Sequence, residues 1–263
     1  MKKNRKLSLG LMLVMVSVLS LTSMGCSPTK EAKKPVEITV SAAASLKEVM
    51  GELEPMFKEA SPETKVTFNF GGSGALQQQI EKGAPCDLFI SAGKKQMKAL
   101  SDKDLLIKDT NKGLVKNRLV LVGSKDTKIT SINDLTNNEV KQIAVGEPKS
   151  VPAGKYADEV LTSLGIKDKI KSKLVFAKDV KEVLAWTVSG NAQVGFVYAS
   201  DALSNKSAKV IENIDEKNHS PIIYPIAVIK SSKNSDTAKA FEDFLLSEKA
   251  QKVFEKYGYK SIK

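Results

Sequence analysis

Four short stretches of this chain could hold a negatively charged group without help from any charged side chain. They are Ala42-Ala43-Ala44-Ser45-Leu46, Gly71-Gly72-Ser73-Gly74-Ala75, Val151-Pro152-Ala153-Gly154 and Lys178-Asp179-Val180. Each one stands where a strand-like run gives way to residues with helical spacing. A helix start leaves backbone N–H groups unpaired and carries the positive end of the helix dipole. Several such starts aimed at one point make an anion site. Alanines and glycines around Ser45 and Ser73 let an object approach the backbone closely. Both serines are expected at N-cap positions, where a hydroxyl either caps its own helix or is offered to a ligand.

The elements that must position these junctions follow from periodicity. Val36 to Val40 alternates with period two, as a half-buried strand does. Leu46, Val49, Met50, Leu53, Met56, Phe57 and Ala60 mark an amphipathic helix, and Pro55 inside it is expected to kink or split its last turn. Further strands are read at Val66–Phe70, Asp87–Ile90, Arg118–Val122, Gln142–Val145, Lys173–Phe176 and Ala192–Tyr198. Helices are read at Ala75–Lys82, from about Lys94, at Ala153–Leu164 with Gly165 as C-cap, and at Val180–Val188. Ile222 to Ile229 is an apolar strand interrupted by Pro225, which suggests a crossing segment at a sheet edge. The C-terminal helices carry Ala238, Phe241, Phe244 and Leu245, then Val253 and Phe254. Strand and helix in alternation argue for an α/β fold of parallel sheets covered on both faces.

Composition narrows the chemistry. The chain has 263 residues, 41% hydrophobic and 27% charged, with one histidine and two cysteines. Lys2-Lys3-Asn4-Arg5-Lys6 precedes an apolar run from Leu7 to Leu21, then Thr22-Ser23-Met24-Gly25-Cys26. That is a signal-peptide grammar, and its end resembles the lipobox of bacterial lipoproteins, with Ser23 where Leu is usual. Residues 1–25 are thus expected to be removed, Cys26 lipidated, and residues 26–35 to form a flexible tether. Lipidation of Cys26 leaves Cys86 alone, so no intrachain disulfide is expected, and Cys86 reads as a small buried hydrophobe. One histidine and one free cysteine argue against a zinc or copper site. The excess positive charge is almost all lysine, spread along the chain without arginine clusters, which argues against nucleic acid.

Enzymatic readings meet only near misses. Gly71-Gly72-Ser73-Gly74-Ala75 lacks the last glycine of a nucleophile elbow, and His219 would be its sole imidazole base. Ser91-Ala92-Gly93-Lys94 has the S-x-x-K spacing without its partner motifs, and Gly154-Lys155 is followed by Tyr156 where a phosphate loop needs Ser or Thr. A serine hydrolase using Ser73 and His219 is the competing class of function.

Four segments in register carry a family resemblance: Val40 to Leu46, Gly83 to Ala92 (Gly-Ala-Pro-Cys-Asp-Leu-Phe-Ile-Ser-Ala), Val151 to Ala157, and Gly195 to Asp201. Together they resemble the molybdate-binding proteins of bacterial ABC importers, over about Val36 to Lys263. The resemblance implies a two-lobed periplasmic-binding-protein fold of type II, each lobe a mostly parallel sheet flanked by helices. Chain crossovers near Asn117 and Pro221 would give residues 36–116 and 222–263 to lobe I and 117–221 to lobe II. It further implies that Ser45, Ser73, Ala153, Val180 and Tyr198 hold molybdate, or tungstate, in the cleft between lobes. Tyr198 enters by resemblance alone. No catalysis and no cofactor are implied, and the molybdenum arrives as an oxyanion, not as a bare metal ion. The expected partners are an ABC permease and the outer face of the cell membrane, reached through the lipid, for a protein that is a monomer. Sulfate, phosphate or an organic solute are the alternative ligands.

Overall fold

The computed structural model describes residues 35–262. The expectations for the leader, Cys26 and most of the tether lie outside the described residues. The chain opens with β1 (Val36–Ala43), a 3-10 turn at Ala44–Leu46, and α1 (Lys47–Ala60). It continues with β2 (Thr64–Gly71), α2 (Ser73–Glu81), β3 (Leu88–Ile90), α3 (Lys94–Asp102) and β4 (Lys112–Lys116). A second series follows: β5 (Leu119–Ser124), β6 (Ile143–Gly146), α4 (Pro152–Ser163), α5 (Lys167–Ile170), β7 (Leu174–Ala177) and α6 (Val180–Val188). It ends with β8 (Val194–Tyr198), α7 (Ala199–Leu203) and β9 (Ala208–Asn213). The chain then returns through β10 (Ile223–Val228) to α8 (Ser235–Leu246) and α9 (Glu248–Lys256).

Two five-stranded sheets result, in the orders β2-β1-β3-β10-β4 and β7-β6-β8-β5-β9. In the first sheet β1 pairs in parallel with β2 and β3, and β10 runs antiparallel to both β3 and β4. In the second, β6 pairs in parallel with β7 and β8, and β5 runs antiparallel to β8 and β9. Four strands of each sheet thus point one way, against a single reversed strand. The reversed strands, β5 and β10, are the ones that enter each sheet just after the chain has crossed from the other. Because the parallel strands of each sheet end on one side, the helix starts that follow them gather on that side too.

Two expectations need correction. Pro225 does not mark a sheet edge: β10 lies between β3 and β4, with a register shift at Tyr224/Pro225. A bulge lets an interior strand absorb a residue that has no N–H for the ladder. Pro55 does not split α1 either, which runs unbroken through it to Ala60. The carbonyl that loses its helix partner to Pro55 is that of Gly51, four residues back, on the exposed face of the helix where water can serve it. Gly165 follows α4 with φ 65°, as a C-capping glycine should. Among the described residues no helix is long and apolar enough to cross a membrane.

Candidate functional site: a cavity of helix starts and hydroxyls

Ser45, Ser73, Ala153, Val180 and Tyr198, distant in sequence, line one cavity together with Gly72, Ala92, Pro152 and Asp179. Its cavity volume is about 10 Å³, far below the roughly 300–1,000 Å³ of pockets that take drug-sized ligands. Among the described residues no Lys, Arg or His lines it. The first sheet supplies the two serines and the second supplies Ala153, Val180 and Tyr198.

The serines differ from expectation in position. Neither is an N-cap: Ser45 lies within the 3-10 turn ahead of α1, and Ser73 is the first residue of α2, capped by Gly72. Neither hydroxyl caps its own helix. For Ser73 the reason is steric and comes from the second sheet's loops. A Cβ at Gly72 would lie 2.5 Å from the Lys178 carbonyl oxygen, and one at Gly74 would lie 2.5 Å from that of Ser150. The Gly74 N–H donates to the same Ser150 carbonyl at 2.8 Å. Backbone meets backbone across the cleft, so glycine takes the positions on either side of Ser73.

Hydroxyl partners are specific. Ser73 Oγ accepts from the Ala92 N–H at 3.0 Å. Ser45 Oγ lies 2.9 Å from the Tyr224 phenol oxygen, and the Tyr259 hydroxyl donates to the Ser45 carbonyl at 2.8 Å. On the other wall, α4 begins with Pro152, which has no N–H, so the first N–H that this helix offers is that of Ala153. α6 begins at Val180 behind its cap Asp179, whose Oδ1 accepts from the Glu182 N–H at 3.0 Å. The cap uses this carboxylate on the third residue of the helix and leaves the Val180 N–H to the cavity. Tyr198 is 1% exposed; among the described residues its phenol oxygen makes no hydrogen bond of normal geometry, though the Tyr224 phenol lies near enough to moderate its pKa. Burial, with the nearby Tyr156 and Asp201, raises its pKa well above the usual phenol value, so it stays a donor.

Beside the cavity lies a charged cluster that the sequence reading missed. Lys181, in the first turn of α6, reaches Asp201 of α7 at 2.8 Å and Glu48 of α1 at 2.5 Å. Asp201 is fully buried. Burial works against the Lys181 ammonium, but Asp201 and Glu48 outweigh it and raise its pKa. Burial raises that of Asp201 against the pull of Lys181. Nothing in the spacing of these three residues announces the cluster. The one sequence signal is an aspartate three residues beyond Tyr198, where β8 ends.

The competing pair is not assembled. His219 is absent from the cavity; its Nδ1 donates to the Ser220 carbonyl at 2.8 Å and its ring packs edge-on against Tyr156. Cys86 is free and buried, and burial pushes its thiol pKa up, as for an inert packing residue. Among the described residues no group of three or more His, Cys, Asp or Glu could hold a metal ion.

Residues 38–260 match the family model described as bacterial extracellular solute-binding protein. The chain is 41% identical to a Bacillus subtilis protein provisionally named ABC transporter substrate-binding lipoprotein YvgL, over 89% of this chain and 92% of that one. It is 36% identical to the molybdate-binding protein ModA of Haemophilus influenzae, over 98% and 99% of the two chains. A solved structure from Clostridium difficile, provisionally described as the substrate-binding domain of a molybdenum ABC transporter, is 63% identical with a TM-score of 0.68. It covers 87% of this chain and 100% of its own. With its two sheets and the cleft between them, this chain belongs to the bacterial extracellular solute-binding protein family.

Proposed function

We propose that this protein captures molybdate outside the cytoplasmic membrane and delivers it to the permease of an ABC importer, without catalysis. One observation carries the reading: two serine hydroxyls, the Tyr198 phenol and the starts of α4 and α6 converge on one small cavity that no cationic side chain lines among the described residues. Such a site binds by hydrogen-bond donation alone. It suits an oxyanion without a proton at neutral pH, because a protonated one needs an acceptor. Among the described residues the one carboxylate on the lining is that of Asp179, whose Oδ1 caps its own helix by accepting from the Glu182 N–H; its Oδ2 is the acceptor a protonated anion would need. The relatives that bear molybdate in their names support the choice of ion.

In this reading residues 36–116 with 222–263, and 117–221, are two lobes that close on the anion by a hinge movement. Cys26 carries the lipid that holds a monomeric receptor at the membrane. Tungstate, with nearly the dimensions of molybdate, binds comparably. Sulfate matches molybdate in charge and protonation but is smaller, so donors set for the larger ion are left with stretched bonds. The test is competition against bound molybdate at neutral pH. Tungstate displaces it at similar concentration, whereas sulfate and phosphate need at least a hundredfold more. Efficient displacement by sulfate identifies a sulfate receptor instead.

A further inference from the structure

We infer that Tyr224, held by Asn117, is a positioning residue that locks the Ser45 hydroxyl as a donor to the ligand and so sets selectivity against protonated oxyanions. The inference rests on the oxyanion reading above and assigns a role to two residues that do not line the cavity.

The direction of each proton can be followed through the network. Asn117 Oδ1 accepts from the Arg118 N–H at 2.8 Å. A backbone N–H can only donate, so this contact fixes which end of the amide is oxygen. Asn117 Nδ2 therefore faces the other way, toward Ser200 Oγ at 2.9 Å and the Tyr224 phenol oxygen at 3.3 Å. Either oxygen of the 2.9 Å Ser45–Tyr224 contact could donate; with Asn117 already donating to Tyr224, we assign the phenol proton to Ser45 Oγ. Ser45 Oγ then already holds an incoming proton, and its own proton is left to point into the cavity. Ser73 is treated alike by a different route, since the Ala92 N–H occupies its oxygen. Tyr224 is fully buried and wedged edge-on against the Tyr198 and Tyr259 rings, so its hydroxyl has little freedom to move.

A serine hydroxyl is normally ambidextrous, and could turn to accept a proton from hydrogen phosphate. Here each serine oxygen already takes part in one hydrogen-bond contact, which leaves its own proton as the group most readily offered to a ligand. Charge-neutral neighbours thus give the site a preference for fully deprotonated anions that the lining residues alone do not explain.

Sulfate and phosphate test this cleanly, because at about pH 8 they are dianions of similar size that differ chiefly by one proton. The measurement is the ratio of their competition constants against molybdate, in wild type and Tyr224→Phe, which keeps the ring and loses the hydroxyl. In wild type sulfate competes better than phosphate; in Tyr224→Phe that advantage shrinks about tenfold, since Ser45 regains the freedom to accept. A purely structural role weakens both anions alike and leaves the ratio unchanged, which would overturn the inference. So would a wild type that takes the two equally. Asn117→Ala, which keeps the phenol but frees it to turn, is the second variant should the first not fold; it shifts the ratio in the same direction, and an unshifted ratio counts against the inference. If wild type binds no oxyanion at all, the failure belongs to the proposed function and not to this inference.

Discussion

The two walls of the cavity supply the same commodity, hydrogen-bond donors, by different means. The first sheet contributes side-chain hydroxyls, Ser45 and Ser73, each held by one other hydrogen-bond contact, to Tyr224 and to the Ala92 N–H respectively. The second contributes backbone N–H groups at the starts of α4 and α6, whose direction is built into the helices, and one phenol, that of Tyr198, without a hydrogen bond of normal geometry. Substitution can therefore remove donors from one wall almost at will. On the other it can act only through the phenol or through whatever seats the helices. This asymmetry says where the site is fragile.

The largest effect is expected where the second wall is seated. Lys181→Met removes the only cation found against the fully buried Asp201 among the described contacts. Stranding a buried charge in this way costs about 3–5 kcal/mol, to be read as a fall in the chemical-denaturation midpoint. Asp201→Asn in the same chain should recover part of it. No recovery would mean that Lys181 matters for its packing and not for its charge.

Next in size is the hydroxyl wall. A hydrogen bond to a charged group is worth about 1.5–3 kcal/mol, so Ser45→Ala and Ser73→Ala should each weaken molybdate binding about tenfold or more. Calorimetry on folded mutants decides it, and two mutants that bind like wild type would move the site elsewhere. The smallest effect is assigned to Tyr198→Phe, where four other contributors remain. Affinity should fall less than about tenfold, while the ligand-free protein gains in thermal stability because an unsatisfied buried hydroxyl has gone. A loss on both counts would show that the phenol has a partner in the empty protein.

Much of this was legible in the sequence. The boundaries of α6 were read as they stand, and the strand and helix alternation gave the α/β class and the side on which helix starts gather. The five residues named for the site do share one cavity. What stayed hidden depends on contacts between residues far apart. The sequence reads Ser73 as an N-cap because nothing nearby in it shows that Lys178 and Ser150 crowd Gly72 and Gly74. Pro225 was placed at an edge because a bulge is a property of two strands, and one strand's residues do not reveal it. The Lys181 cluster and the path from Asn117 through Tyr224 to Ser45 were missed for the same reason. Polar residues announce neither their burial nor their partners.

The meeting of Gly72 and Gly74 with the Lys178 and Ser150 carbonyls has one more consequence. A seam made of side chains can drift, one residue growing as its neighbour shrinks. A seam made of main chain has no such compensation, since its clearance at two points is less than a single carbon atom. At these positions even alanine would act as a wedge and hold the walls apart, whatever the rest of the cavity offered. The tolerance of the whole device is fixed where it has no side chains at all.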